Sequence, residues 1–326
     1  MSEITGHGDI FALLFRRIGD SLLATPSLRA LKQRFPDRKL FVLAEPQTAR
    51  VFAGNPVIDD ILITPKSPSP FQLAGLIKRH DKPAATIDFL SDPRTALACL
   101  LSGARTRVGF KTSLRSLLYT HRVPLQNTAA PVYSAKHKLG LARALNAETE
   151  SLDIDFYLKE SDSGAVTKWK QRAHIHESTR IIAIFPYSRR DYKRWQPDRY
   201  ISLCKKLQAI PDFFPVLISG PGEADYCSSI VTAASLNENH LLVFDDLGKM
   251  AALLKLATVY VGNDGGPKHL AVAMGTPTIT VFLNDPPEYW TPPHTTRHIA
   301  LASSAPAGIS VDTVMDELHR MFERCG

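Results

Sequence analysis

Apolar positions along the chain fall into short blocks set between polar segments, and the spacing changes from strand-like to helical and back. Residues 10–15 form an apolar run of strand length, followed by the polar loop RRIGDS at 16–21. Leu28, Leu31 and Phe35 recur at helical spacing, predicting a helix over 27–34. Further strands are expected at 39–44, 60–64, 85–89 and 107–110, with a helix at 94–101. The second half repeats the grammar: strands at 180–185, 215–219, 241–244, 259–262 and 278–282, and helices at 197–207, 224–234, 250–257 and from Pro267. Residues 311–324 close the chain as an amphipathic helix with Val314, Leu318, Met321 and Phe322 on one face.

Strands separated by helices imply parallel sheets covered on both faces. The expected fold class is α/β, with two Rossmann-like doubly wound domains facing a central cleft. Polar residues are dense over 150–175, so the expected domains are 1–160 and 161–326, the last helix packing back on the first domain. The 326 residues are enough for two cores. At 44% hydrophobic the composition is that of a globular protein, and no window approaches the ~20 apolar residues of a membrane span. The N-terminus shows no cleavable signal pattern, so a cytoplasmic location is expected. Cys99, Cys204, Cys227 and Cys325 form no CxxC pair and read as reduced thiols.

A formal net charge of +7 suits an acidic partner. The basic residues are scattered in pairs and no nucleic-acid-binding signature is present, which argues against nucleic acid. Three loops at the carboxyl ends of predicted strands carry candidate chemistry. In VYVGNDGGPKHLAVAMGTP, 259–277, Gly265 and Gly266 are expected to turn the backbone sharply. Pro267 fits the first turn of a helix, and Gly275 closes it in the left-handed conformation. The free N–H groups at that helix start suit a diphosphate. In PYSRRDYKRW, 186–195, Ser188 offers a hydroxyl and Lys193 a point charge, though a solvated charge run is the alternative. Asp20 is a lone carboxylate after the first strand, either a general base or the cap of the next helix. Asp153 and Asp155 are read as a solvent-facing strand edge, and no metal site is expected.

Together these loops resemble glycosyltransferase family 9, the ADP-heptose–lipopolysaccharide heptosyltransferases. The resemblance rests on RIGDSLLATPSLRALKQRFP at 17–36, NPVIDD at 55–60, IDFL at 87–90 and SGARTRVG at 102–109. It continues through KRW at 193–195 and GNDGGPKHLA at 262–271. It implies a GT-B fold and an inverting, metal-independent transfer of heptose from ADP-heptose to the anionic lipopolysaccharide inner core, without a cofactor. Asp20 would be the base. Ser188 and Lys193 would contact the diphosphate and Glu223 the ribose, with Lys249 and Met250 by the adenine. Asp264, Gly265, Gly266 and His269 would line the donor site. After the short strand, Arg107 and Lys111 could grip the acceptor's anions. A monomer, in peripheral contact with the inner membrane surface, is expected. Two departures stand out: Gly265 where the family carries Ser or Thr, and FLNDPP at 282–287 where it carries a Tyr-Gly-Pro segment. Two other readings remain open, a nucleotide-sugar epimerase and a non-catalytic sugar-nucleotide-binding protein.

Overall fold

The computed structural model describes residues 4, 7–15, 17–80, 83–112, 114–126, 130–305 and 308–323. The chain divides into two compact units, Met1–Tyr157 and Leu158–Gly326. Cys325 and Arg16 lie outside the described residues, as does Arg324, the last residue of the expected terminal helix.

The first unit runs β1 (Asp9–Leu13), α1 (Ile18–Leu22), α2 (Thr25–Arg34), β2 (Leu40–Ala44), α3 (Pro46–Phe52), β3 (Asp60–Ile63) and α4 (Pro70–Lys78). It continues with β4 (Pro83–Asp88), α5 (Pro93–Leu101), β5 (Thr106–Lys111), β6 (His121–Pro124) and α6 (Ser134–Arg143). The six strands form one sheet in the order β3-β2-β1-β4-β5-β6, all neighbours parallel. β1 is central and, after Asp9, apolar from Ile10 to Leu13, pairing Phe11 with Phe41 on one side and with Thr86 on the other. A strand buried between two neighbours and two helical layers has no polar face, which is why it reads as a continuous apolar run. Proline opens α3, α4 and α5, and Ser69 and Asp92 cap the last two with their side chains.

The second unit runs α7 (Ser163–Arg172), β7 (Arg180–Phe185), α8 (Pro197–Gln208), β8 (Phe213–Ser219), α9 (Ala224–Ala233), β9 (Leu241–Val243) and α10 (Leu247–Leu256). Then follow β10 (Val259–Asn263), α11 (Gly266–Ala273), β11 (Thr278–Leu283), α12 (Pro287–Trp290), β12 (His298–Ser303) and α13 (Val311–Glu323). Its sheet is again six-stranded and parallel, in the order β12-β11-β10-β7-β8-β9. Trp195, Tyr200, Leu203, Ile182, Val261 and Leu318 share one core. The apolar stripe of α13, with Val314, Leu318 and Met321, packs on that core beside α8.

Several local expectations are corrected. The 16–21 loop is interrupted by α1, so Asp20 sits in a helical turn, and the residue preceding α2 is Ala24. Asp20 therefore does not cap α2. Residues 153–155 join no sheet. Ile154 and Phe156 are buried, while Asp155 pairs with Arg29 at 3.1 Å and its backbone N–H donates to Thr25 Oγ1 at 2.8 Å. That segment straps α2 and is not an open strand edge.

Candidate active site

In a parallel sheet every strand delivers its following loop to one edge. Ligands bind at that edge where the strand order reverses, because loops on the two sides of the reversal diverge and leave a crevice. In the second unit the reversal falls between β7 and β10. The loops flanking it are those carrying Ser188 with Lys193 and Asp264 with His269, so the fold brings the two expected diphosphate segments together. Glu223 follows β8 and Lys249 with Met250 follow β9, on the same edge.

Asn263, a residue that the sequence reading quoted but gave no role, ties the two loops. Its Nδ2 donates to Pro186 O at 2.8 Å, and its Oδ1 accepts from Trp195 N–H at 3.0 Å. Trp195 is fully buried and donates from Nε1 to Ile309 O at 2.9 Å, anchoring the far end of the loop. Between these anchors Ser188 and Lys193 are half-buried, and Arg194 stacks over Tyr187 at 4.3 Å. Lys193 forms an ion pair with Asp285, which lies in the segment where the chain departs from the family. A shallow pocket lined by Asn284, Asp285, Ala302, Ser303 and Ser304 adjoins it.

Gly262 must be glycine: a Cβ there would lie 2.4 Å from Phe185 O. Gly265 is different. Its backbone is extended, φ 174 and ψ −175, and a Cβ would meet nothing closer than 3.9 Å. The sharp turn expected of Gly265 is not observed, and a serine there would fit. Gly265 and Gly266 open α11 with no side-chain cap, Pro267 lies in its first turn, and Gly275 ends it at φ 74. The helix start leaves its N–H groups free for an anion, as expected.

Asp264 is held from behind. Lys268, one helical turn on, is fully buried; its Nζ lies 3.1 Å from Asp264 Oδ1 and donates to Trp290 O at 2.6 Å. His269 Nε2 lies 3.8 Å from the same oxygen. Burial pushes the Lys268 amine below its ordinary pKa, and Asp264 opposes that shift. Lys268 thus neutralises the Asp264 carboxylate that precedes the open start of α11. Glu223 is half-buried and accepts from Gly220 N–H at 3.0 Å. Lys249 pairs with Asp245 at 3.0 Å, while Met250 is buried. A concavity lined by Arg180, Asp212, Phe213, His319 and Phe322 opens at the amino ends of β7 and β8, the opposite edge from these loops.

In the first unit the reversal lies between β1 and β4. Asp20 follows β1 and is one-third exposed, with Lys138 Nζ of α6 3.2 Å from its Oδ1. Two non-glycine residues in these two loops, Arg17 (φ 51) and Ser91 (φ 51), are held at positive φ, a cost concentrated at the reversal. Asp88 ends β4, fully buried. Its carboxylate accepts from Leu90 N–H, Ser91 N–H and, at 2.7 Å, the Tyr119 hydroxyl. Burial pushes its pKa up to about 6.

The candidate acceptor residues separate. Lys111 ends β5 at the carboxyl edge and is exposed. Arg107 stands near the amino end of β5, where its guanidinium donates to Leu118 O at 2.8 Å and Ala104 O at 2.7 Å. It braces backbone and is not gathered with Asp20. Gly109, two residues on, makes room for the Tyr119 ring, since a Cβ would lie 2.4 Å from it. The Arg-x-Gly segment is thus explained by what holds Tyr119 against Asp88.

Two tandem doubly wound units, each with its candidate residues at a strand-order reversal, define the GT-B fold. Residues 86–318 match glycosyltransferase family 9 (heptosyltransferase), and the chain belongs to that family. It is 26% identical over 302 residues to lipopolysaccharide heptosyltransferase 3 of Escherichia coli, covering 84% of this chain and 83% of that protein. A family 9 glycosyltransferase from Veillonella parvula superposes with a TM-score of 0.87 at 16% identity, covering 99% of both chains. The E. coli ADP-heptose lipopolysaccharide heptosyltransferase II superposes with a TM-score of 0.78 at 19% identity, covering 97% of this chain and 99% of that one.

Proposed function

We propose that this enzyme transfers heptose from ADP-heptose to a hydroxyl of the lipopolysaccharide inner core, by inversion and without a metal. The observation that carries the reading is the joining of the Lys193 loop and the start of α11 at one strand-order reversal, through Asn263. The names of the relatives, which act on lipopolysaccharide or use ADP-heptose, support the sugar and its carrier.

In this mechanism Asp20 takes the proton of the acceptor hydroxyl as its oxygen bonds to the anomeric carbon. The bond from that carbon to the diphosphate breaks, and ADP leaves with the electron pair. Lys193 and the free N–H groups of α11 stabilise the charge that develops on it. Ser188 adds a hydroxyl contact, Glu223 holds the ribose, and Lys249 and Met250 border the adenine. Gly265, Gly266 and His269 complete the wall. Lys111 meets anionic groups of the acceptor, whose lipid brings the enzyme to the cytoplasmic membrane face.

The direct test is ligand-dependent melting. ADP raises the melting temperature by mass action, and Lys193→Ala weakens the effect. A curve unmoved by ADP and by other nucleoside diphosphates sinks the donor assignment. Interconversion of free nucleotide sugars without acceptor would replace transfer by epimerisation.

A further inference from the structure

Lysines are almost never buried unless paired. Lys138, on the second turn of α6, is buried, and its partner is Asp20. A buried ion pair gives little net stability over apolar residues of similar volume, so stability alone does not account for a lysine here. The surroundings are polar as well. Ser134, one turn before Lys138 on the same face of α6, and Ser21, next to Asp20 in sequence, bury hydroxyls with no hydrogen-bond partner among the described groups. Other cations on neighbouring elements are engaged elsewhere: Arg29 with Asp155, Lys32 with Asp59, and Arg50 with Tyr157 O.

We propose that Lys138 is the positioning residue for Asp20, gripping one carboxylate oxygen so that the other is presented to the acceptor hydroxyl. The inference rests on the reading of Asp20 as the base. A carboxylate free to rotate spends part of its time with neither oxygen directed at the substrate, whereas one fixed by an ammonium keeps a single orientation. Loss of the ammonium therefore lowers the fraction of bound acceptor that meets a correctly aimed oxygen, which acts on turnover and not on donor binding. His137, adjacent on α6, is the control: it neighbours Lys138 in sequence, and burial, then the charge of Lys138, hold its pKa below the ordinary value.

The test is steady-state kinetics, kcat and KM separately, of heptose transfer from ADP-heptose to heptose-free lipopolysaccharide. The proteins are wild type, Lys138→Met, Lys138→Arg, Asp20→Asn, the double variant Asp20→Asn/Lys138→Met, and His137→Gln. Circular dichroism confirms folding. Lys138→Met is expected to lose about tenfold or more in kcat while the KM for ADP-heptose stays near wild type. Lys138→Arg recovers most of the lost kcat, and His137→Gln leaves kcat near wild type. In the Asp20→Asn background, Lys138→Met has no further effect. If Lys138→Met does not fold, Lys138→Gln carries the same expectations. An unchanged kcat in Lys138→Met, no recovery by Lys138→Arg, or a full additional loss in the Asp20→Asn background, overturns the positioning role. Near-wild-type transfer by Asp20→Asn overturns the base reading instead, so the two failures are distinct.

Discussion

Replacing Lys268 by Met keeps most of the side-chain volume and removes its charge. The Asp264 carboxylate, about one-tenth exposed, is left without its ammonium, and Trp290 O loses a donor. Breaking a buried pair from one side costs roughly 3–5 kcal/mol, because the remaining charge is desolvated and uncompensated. In a unit of this size each kcal/mol lowers the melting temperature by about 2–4 °C, so the transition of the second unit should fall by roughly 6–20 °C. The loss should persist in high salt, since a buried pair is poorly screened. Adding Asp264→Asn removes the orphaned charge and should recover most of the stability while still impairing donor binding. The assay is thermal unfolding of the three proteins by circular dichroism at pH 7, in low and high salt. If Lys268→Met melts within about 2 °C of wild type, Asp264 is not the dependent partner and the account of this corner of the site fails.

Asp285→Asn frees Lys193 for a diphosphate and should tighten ADP binding by about fivefold, ~1 kcal/mol for a partly exposed pair; calorimetry showing unchanged affinity refutes the competition. Gly262→Ala should destabilise by roughly 1–3 kcal/mol from its clash with Phe185 O, while Gly265→Ser should melt within about 0.5 kcal/mol of wild type, which chemical denaturation of both variants decides. The two units should also respond oppositely to acid. Burial raises Asp88 to about 6, so the folded first unit binds a proton that the unfolded chain does not. Stability on the order of 3 kcal/mol is present below pH 4 and lost as pH rises through 6. Burial, then the charges of Lys268 and Arg297, lower His298 to about 4, so the second unit loses a comparable amount as pH falls from 6.5 to 4. Asp88→Asn and His298→Gln should each flatten the dependence of their own unit in pH-resolved melting, and an unchanged slope in either rejects that assignment.

Central strands were legible because burial on both faces makes them continuous apolar runs: β1, β7 and β10 all lie close to where the pattern put them. Of the four edge strands, β3 and β9 lie where expected, but β6 and β12 were not legible: β6 alternates half-buried with exposed residues and β12 is half-buried nearly throughout, so neither produces a block. Helices α3 and α6 escaped because their buried positions include Thr48, Ser134 and Lys138, which sequence assigns to the surface. The donor loops could be read from motif and position at strand ends. Their supports could not: a buried lysine looks like a solvated one until its partner is known, and Lys138 and Asp20 are far apart in sequence. Only short-range pairs, such as Asp264–Lys268 and Asp245–Lys249 with their spacing of four, can be seen in sequence. The Arg-x-Gly segment misled for the opposite reason, since an arginine suited to an anion is spent on the carbonyls of Ala104 and Leu118.

Each sheet is completed by strands from one uninterrupted stretch of chain, and in each the first strand made lies in the middle. β1 must wait for β4, and β7 for β10, before its second side is paired. During synthesis, then, one side of the central strand of each unit stays unpaired until about 75 further residues have emerged. The first unit can close before the second has its central strand, and the second must repeat the wait after it. Slow elongation between β7 and β10 is accordingly the interval in which the nascent enzyme is most open to aggregation or chaperone capture. A chain cut after Tyr157 should yield two pieces that fold without exchanging a strand.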